Sequence, residues 1–193
     1  MNMHSPRKGQ TIIEVMIALG LLTMGLLGLL DLLSQSFFLD RVISDQTKAT
    51  YLAEEGVELA KSLIDNDVYL TVASPTQSPG WDACFGLDPL THIPKDFELD
   101  YTSLPTSPYT SIYSCDNSSI KTYQGRFLNF DPSTDLYSYL PGGTPTNFTR
   151  DIRITALTTS ELEVQSIVSW STGPITNQSL DLEDDFYNWY PQT

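Results

Sequence analysis

Residues 7–33 read RKGQTIIEVMIALGLLTMGLLGLLDLL. A basic pair, Arg7 and Lys8, meets Gly9, and an almost wholly apolar run begins at once. Val15 to Leu30 with its flanks approaches the ~20 apolar residues that a membrane-spanning helix needs. The one charge at the start of that run is Glu14. A carboxylate in hydrocarbon costs ~2.5–3.5 kcal/mol on the milder insertion scale, so such groups tend to be paired and functional. The excess of positive charge before the run places Arg7 and Lys8 in the cytoplasm and everything after Asp31 outside. An ordinary secretory signal would be cut after its apolar region at small residues, and no such site follows Leu33. A lipoprotein would need a cysteine just after the run, and there is none. A simple single-span anchor stays open, but it has no use for Glu14.

Beyond the apolar run the helical signal continues without a turn residue. A stripe runs through Val42, Gln46, Ala49, Ala53, Gly56, Ala60 and Leu63 at alternating spacings of four and three, widened by Ile43, Thr50, Val57 and Ile64. This is the face of an amphipathic helix, with Glu54, Glu55, Glu58 and Lys61 largely on the solvated sides. A coiled-coil seam would call for large apolar residues at those positions rather than Ala and Gly, so packing on the chain's own sheet is the expectation. Asp65, Asn66 and Asp67 dilute the pattern, and the helix is expected to end there. From Gln10 to Ile64 it would run about 80 Å. Gly20, Gly25 and Gly28 lie in the apolar half, where glycine allows close helix–helix contact in membranes and permits local unwinding.

From Tyr69 to Asn147 the chain is rich in Pro, Ser, Thr and aromatics, with turn clusters at Pro75–Gly80, Pro105–Pro108, Asp131–Asp135 and Pro141–Pro145. Trp81, Phe85, Phe97, Tyr113, Phe127 and Tyr139 supply enough apolar mass to order it. Short strands are expected at Phe97–Thr102 and Gly125–Phe130. The last stretch is clearer. Phe148–Ala156 alternates, as does Leu162–Trp170, and a third run, Ile175–Leu182, follows a Gly173–Pro174 turn. Three strands with short turns read as an antiparallel meander whose apolar face would cover the helix stripe.

The chain has 193 residues and a net charge of −14, and removal of Arg7 and Lys8 takes it to −16. A uniform acidic excess argues against a nucleic-acid backbone as partner. The nearest basic clusters, Lys121 with Arg126 and Arg150 with Arg153, are thin. Cys84 and Cys115 are the only cysteines, and a compartment outside the cytoplasm permits a bridge between them. Such a bridge, closing about 30 residues, would stabilise the fold by ~3–4 kcal/mol in the chain-entropy model. Two buried free thiols are the alternative.

The N-terminus resembles the class III signal of type IV pilins and of the pseudopilins of type II secretion. In that family a prepilin peptidase cuts after a glycine at the cytoplasmic face, the new N-terminus is methylated, and a glutamate stands five residues after the glycine. The resemblance makes Met1–Gly9 a leader with the charges Arg7 and Lys8. Gly9 and Gln10 would flank the cleavage site, and Glu14 would be the subunit-assembly residue. Gln10 departs from the Phe or Met that most members carry, and an N-terminal Gln can cyclise. After cleavage the Gln10 α-amino group is positive. Paired in a dry bundle with the Glu14 carboxylate of a neighbour, each charge would offset the other's desolvation and fix the register between subunits. The segments FTRDIRI, LEVQSIVSW and LDLEDDFYNW (148–189) also resemble, more loosely, the C-terminal sheet of minor pilins and pseudopilins of the "V" and "I" type.

The sequence offers no nucleophile elbow, P-loop, dinucleotide fingerprint or zinc motif. His4 and His92 are far apart, no cofactor is implied, and no metal site is expected. Asp181, Glu183, Asp184 and Asp185 match no calcium-loop template and read as a solvated acidic run. The expectation is therefore an α+β pilin fold, not an enzyme. Its divisions are a leader (1–9), an assembly helix in the membrane (10–33), an amphipathic half-helix (34–67), a loop-rich variable region (68–147) and a C-terminal sheet (148–193). Such a subunit, a minor one by its long loop-rich domain, would meet prepilin peptidase, other pilin or pseudopilin subunits and the inner-membrane assembly platform. It would span the cytoplasmic membrane once, with its domain outside, before entering a pilus or pseudopilus. The rival reading is a membrane-anchored binding module whose aromatic loops, Trp81–Phe85 and Tyr109–Tyr113, hold a ligand.

Overall fold

The structure is a computed structural model and describes residues 8–73, 80–81, 84–104 and 120–188, with side chains from Thr11 onward. The chain divides into two compact units, residues 1–45 and residues 46–193. A single helix, α1 (Lys8–Ala73), begins in the first and ends in the second. The prolines permit this length: Pro6 and Pro75 stand just outside it and none falls between. In the first unit the described residues are helical throughout, including Gly25–Asp31, where unwinding was open.

In the second unit α1 packs on an antiparallel sheet of seven strands among the described residues. These are β1 (Lys95–Glu98), β2 (Lys121–Thr122), β3 (Phe127–Asp131), β4 (Leu136–Ser138), β5 (Thr144–Thr158), β6 (Glu161–Thr172) and β7 (Ile175–Tyr187). The long strand β5 organises the sheet. One edge pairs with β6 over most of its length, and the other pairs first with β3 and then with β1. The meander β5–β6–β7 is the one the alternation predicts, though β5 and β7 are longer than expected. The loop-rich region contributes four short strands: β3 matches the one expected at Gly125–Phe130, β1 only overlaps the one expected at Phe97–Thr102 because a 3₁₀ turn takes Tyr101–Ser103, and β2 and β4 are additional.

Register puts Ile152 opposite Ser166, Ile154 opposite Val164 and Ala156 opposite Leu162, so their side chains share one face. That face and the helix stripe form two clusters. One joins Leu59, Ala60, Leu63 and Ile64 to Trp81, Phe85, Phe97, Ile154, Leu162 and Val164. The other joins Ala49, Leu52 and Ala53 to Leu128, Phe148, Val168 and Trp170. The stripe is broader than the small-residue line suggests, because Leu52 and Leu59 are buried too. It also starts later, since Ile43 is exposed. Gly56 marks the closest approach: a Cβ there would strike Ser166 Oγ and come within 2.6 Å of Ile152 Cδ1.

The helix does not stop at Asp67. Asn66 and Asp67 turn inward and are buried, and Leu70 packs beyond them. The Asp67 carboxylate accepts from the Cys84 backbone N–H at 2.9 Å, so this acidic group faces the fold rather than solvent. Similar bonds order the loops. Glu98 accepts from the backbone N–H groups of Gln124 and Arg126 at 3.0 and 3.1 Å. Asp100 caps the 3₁₀ turn Tyr101–Ser103 and accepts from Tyr139 N–H at 2.7 Å. Trp81 Nε1 donates to Thr159 O, and His92 Nδ1 lies 2.9 Å from Ala156 O. Buried carboxylates that accept backbone N–H groups hold this polar region against the core.

Candidate functional site: the exposed half of the helix

In the first unit α1 is built from residues that suit a helix but not water. Each large apolar side chain from Ile12 to Leu33 is more than half exposed, up to 75% at Met24. The most apolar part has a mean hydropathy of 2.3 and none of it is buried. At about 25 cal/mol per Å², so much apolar surface calls for lipid or other helices around it. By length and composition this helix can cross a membrane.

Polar groups inside the run are few and mostly self-satisfied. Thr23 Oγ1 donates to Gly20 O at 2.9 Å, and Gln35 Nε2 donates to Asp31 at 3.2 Å. Glu14 is different. Its side chain is exposed and lies beside Ile13, Ile17, Ala18 and Leu21 on a shallow apolar groove. Among the described residues no cation faces it. Gly20, Gly25 and Gly28 are equally open: a Cβ at any of the three would touch nothing within 4 Å. The space beside Gly56 is filled by Ser166, Ile152 and Arg150, whereas among the described residues nothing fills the space beside these three glycines.

Lys8, Gly9 and Gln10 form the helix start, with Glu14 five residues after Gly9, about 7.5 Å along the axis. Arg7 lies outside the described residues, as do the side chains of Lys8 and Gln10. Cys84 is buried and disulfide-bonded, while Cys115 falls outside the described residues.

The other candidates are disposed of by geometry. Arg126 is held by the buried Glu98, with Nε 2.6 Å from Oε2, and stacks over Tyr139 with 4.8 Å to the ring centroid. Arg150 is 0% exposed. Its guanidinium donates to Leu52 O at 3.0 Å and Leu99 O at 2.6 Å, and pairs with Glu55 at 3.0 Å. Arg153 is taken by Asp96 at 2.8 Å and approaches Asp151 at 3.7 Å. No basic patch forms from these pairs. The acidic run on β7 splits by parity: Asp181, Glu183 and Asp185 stand opposite Ile167, Gln165 and Glu163, with Asp184 on the other face. Glu163 is raised above the usual carboxylate range by burial and by Glu183, Asp185 and Asp181. Among the described residues no group of three His, Cys, Asp or Glu could hold a metal ion. Trp81 and Phe85 are buried at 5% and 3% exposure, so neither of these two rings is presented as a ligand platform. Tyr109–Tyr113 lies outside the described residues.

Glu55, expected largely on the solvated side of the helix, is partly covered by its pair with Arg150, and Arg150 is buried rather than part of a basic cluster with Arg153. The signal was present in the parity of β5: Phe148, Arg150, Ile152, Ile154 and Ala156 occupy alternate positions, so Arg150 had to face the core.

A family model described as the prokaryotic N-terminal methylation motif matches residues 4–30. No curated protein and no solved structure matches the chain.

Proposed function

We propose that this chain, whose residues 4–30 match that motif, is a structural, non-catalytic subunit of a type IV pilus or type II secretion pseudopilus. It is a minor subunit in this reading. Prepilin peptidase removes Met1–Gly9 and leaves Gln10 as the new N-terminus. The helix then holds the subunit in the cytoplasmic membrane by a single span, with the second unit outside, and assembly proceeds through the same helix. The assembly platform and neighbouring subunits cover what this chain leaves bare.

The observation that carries the reading is the uncovered helix itself. The Glu14 carboxylate, three open glycines and large apolar side chains that are each more than half exposed sit together on this segment. A dry helical bundle satisfies all three at once: the glycines allow close approach, the apolar surface is buried, and Glu14 meets a neighbour's α-amino group. The loops of the second unit, stapled by carboxylate bonds beside the long strands β5, β6 and β7, support the minor role.

Intact mass of the membrane-extracted protein from cells with and without the peptidase tests the processing step. A form beginning at Gln10 only where the peptidase is present is expected. Retention of Met1–Gly9 in both strains would sink the proposal.

A further inference from the structure

The face of the sheet turned away from α1 holds a charge arrangement that the assembly reading does not use. Asp151 in β5 is 7% exposed, and its Oδ1 is buried without a hydrogen-bond partner among the described residues. Its other oxygen is 3.7 Å from the guanidinium of Arg153, which is already engaged by Asp96 at 2.8 Å. One cation therefore serves two carboxylates, and the buried one has the poorer share. The surrounding groups add little relief. From β1 come Asp96 and Glu98, the latter committed to Arg126. From β6 the residue directly opposite is Ile167, which brings no charge. From β7, beyond Ile167, Asp181 acts on Arg153 as a third anion.

A buried carboxylate oxygen without a donor is costly as an anion and much less so as a neutral acid. We propose that Asp151 is a proton-operated element of the sheet: in mildly acidic surroundings it takes up a proton, which removes the buried charge, leaves Arg153 to Asp96 and the more distant Asp181, and tightens the domain. The direction agrees with the carboxyl's position at about 6, raised first by burial and then by Asp96, with Arg153 opposing. The folded state holds this proton more tightly than the unfolded chain, whose Asp titrates near 3.9. Stability from this group is thus fully present below about pH 4 and is lost as pH rises through about 6. The site stands whether or not the chain enters a filament.

The test uses the full-length protein in detergent micelles. Thermal unfolding of the wild type and Asp151→Asn is compared at pH 4.5 and 7.5, where the variant is expected to match the wild type in acid and to exceed it by roughly 5 °C at neutral pH. Carboxyl ¹³C titration of the wild type should place Asp151 near 6, and Asp96→Asn should move that midpoint down. A variant less stable than the wild type at both pH values would overturn the proposal. So would an Asp151 midpoint in the ordinary carboxylate range, a result that does not depend on any variant folding.

Discussion

Gly56 is buried where α1 meets the sheet most closely, and there the absent side chain decides the packing. Gly56→Ala gains helix propensity but drives a methyl into Ser166 Oγ and Ile152 Cδ1, so a net loss of ~1–3 kcal/mol is expected from overpacking. Denaturant unfolding of the micelle-held protein would read it, and an unchanged or higher midpoint would contradict the close approach. Arg150 poses the opposite problem, a charge that must be buried. Arg150→Ala leaves Glu55 and two carbonyls without their donor and is expected to cost ~3–5 kcal/mol. Arg150→Met loses the same bonds but fills the space, so it should cost less. If the two variants unfold alike, the filled volume contributes little and the guanidinium's bonds are what the site needs.

At the scale of the element, α1 is two helices in chemistry and one in backbone. From Ala49 to Leu70 it buries a face of its own against the sheet; from Ile12 to Leu33 it buries nothing. A change on the first part should therefore be read as a change in folding, and one on the second as a change in assembly. Glu14→Ala is expected to leave membrane insertion and the fold intact while lowering incorporation into sheared filaments, as scored by blotting. Normal incorporation of that variant would remove Glu14 from the assembly step. The final turns of α1 depend on Asp67, because its carboxylate holds the Cys84 backbone. Asp67→Ala should speed amide exchange at Cys84 and Phe85 while the β5–β6 amides stay protected.

For the whole molecule, the second unit owes its order to staples as much as to apolar mass. Glu98, Asp100 and Asp67 each fix a loop by accepting backbone N–H groups, and Cys84 adds a disulfide. If Cys115 is its partner, reduction should lower stability by ~3–4 kcal/mol, measured as a drop in the unfolding midpoint with reductant present. An unchanged midpoint would mean the bridge constrains little of the unfolded chain. The acidic excess stays distributed over this unit, since Arg126, Arg150 and Arg153 are each consumed by internal carboxylates.

The sequence by itself determined the exposed helix, the Gly9–Glu14 spacing, the small-residue stripe and the β5–β6–β7 meander. Each of these is local: an apolar run, a fixed offset, or a period of 3.6 or 2 visible within a dozen residues. Only the tertiary structure decided where α1 ends, because Asn66 and Asp67 look like a polar terminus until Cys84 is brought beside them. It decided that Glu55 and Arg150, 95 residues apart, form an ion pair at the edge of the core. It also decided that Lys95–Glu98 and Phe127–Asp131 both pair along one edge of β5. Those facts rest on groups distant in the chain, and the cost of burying a charge is set by the partner that folding supplies.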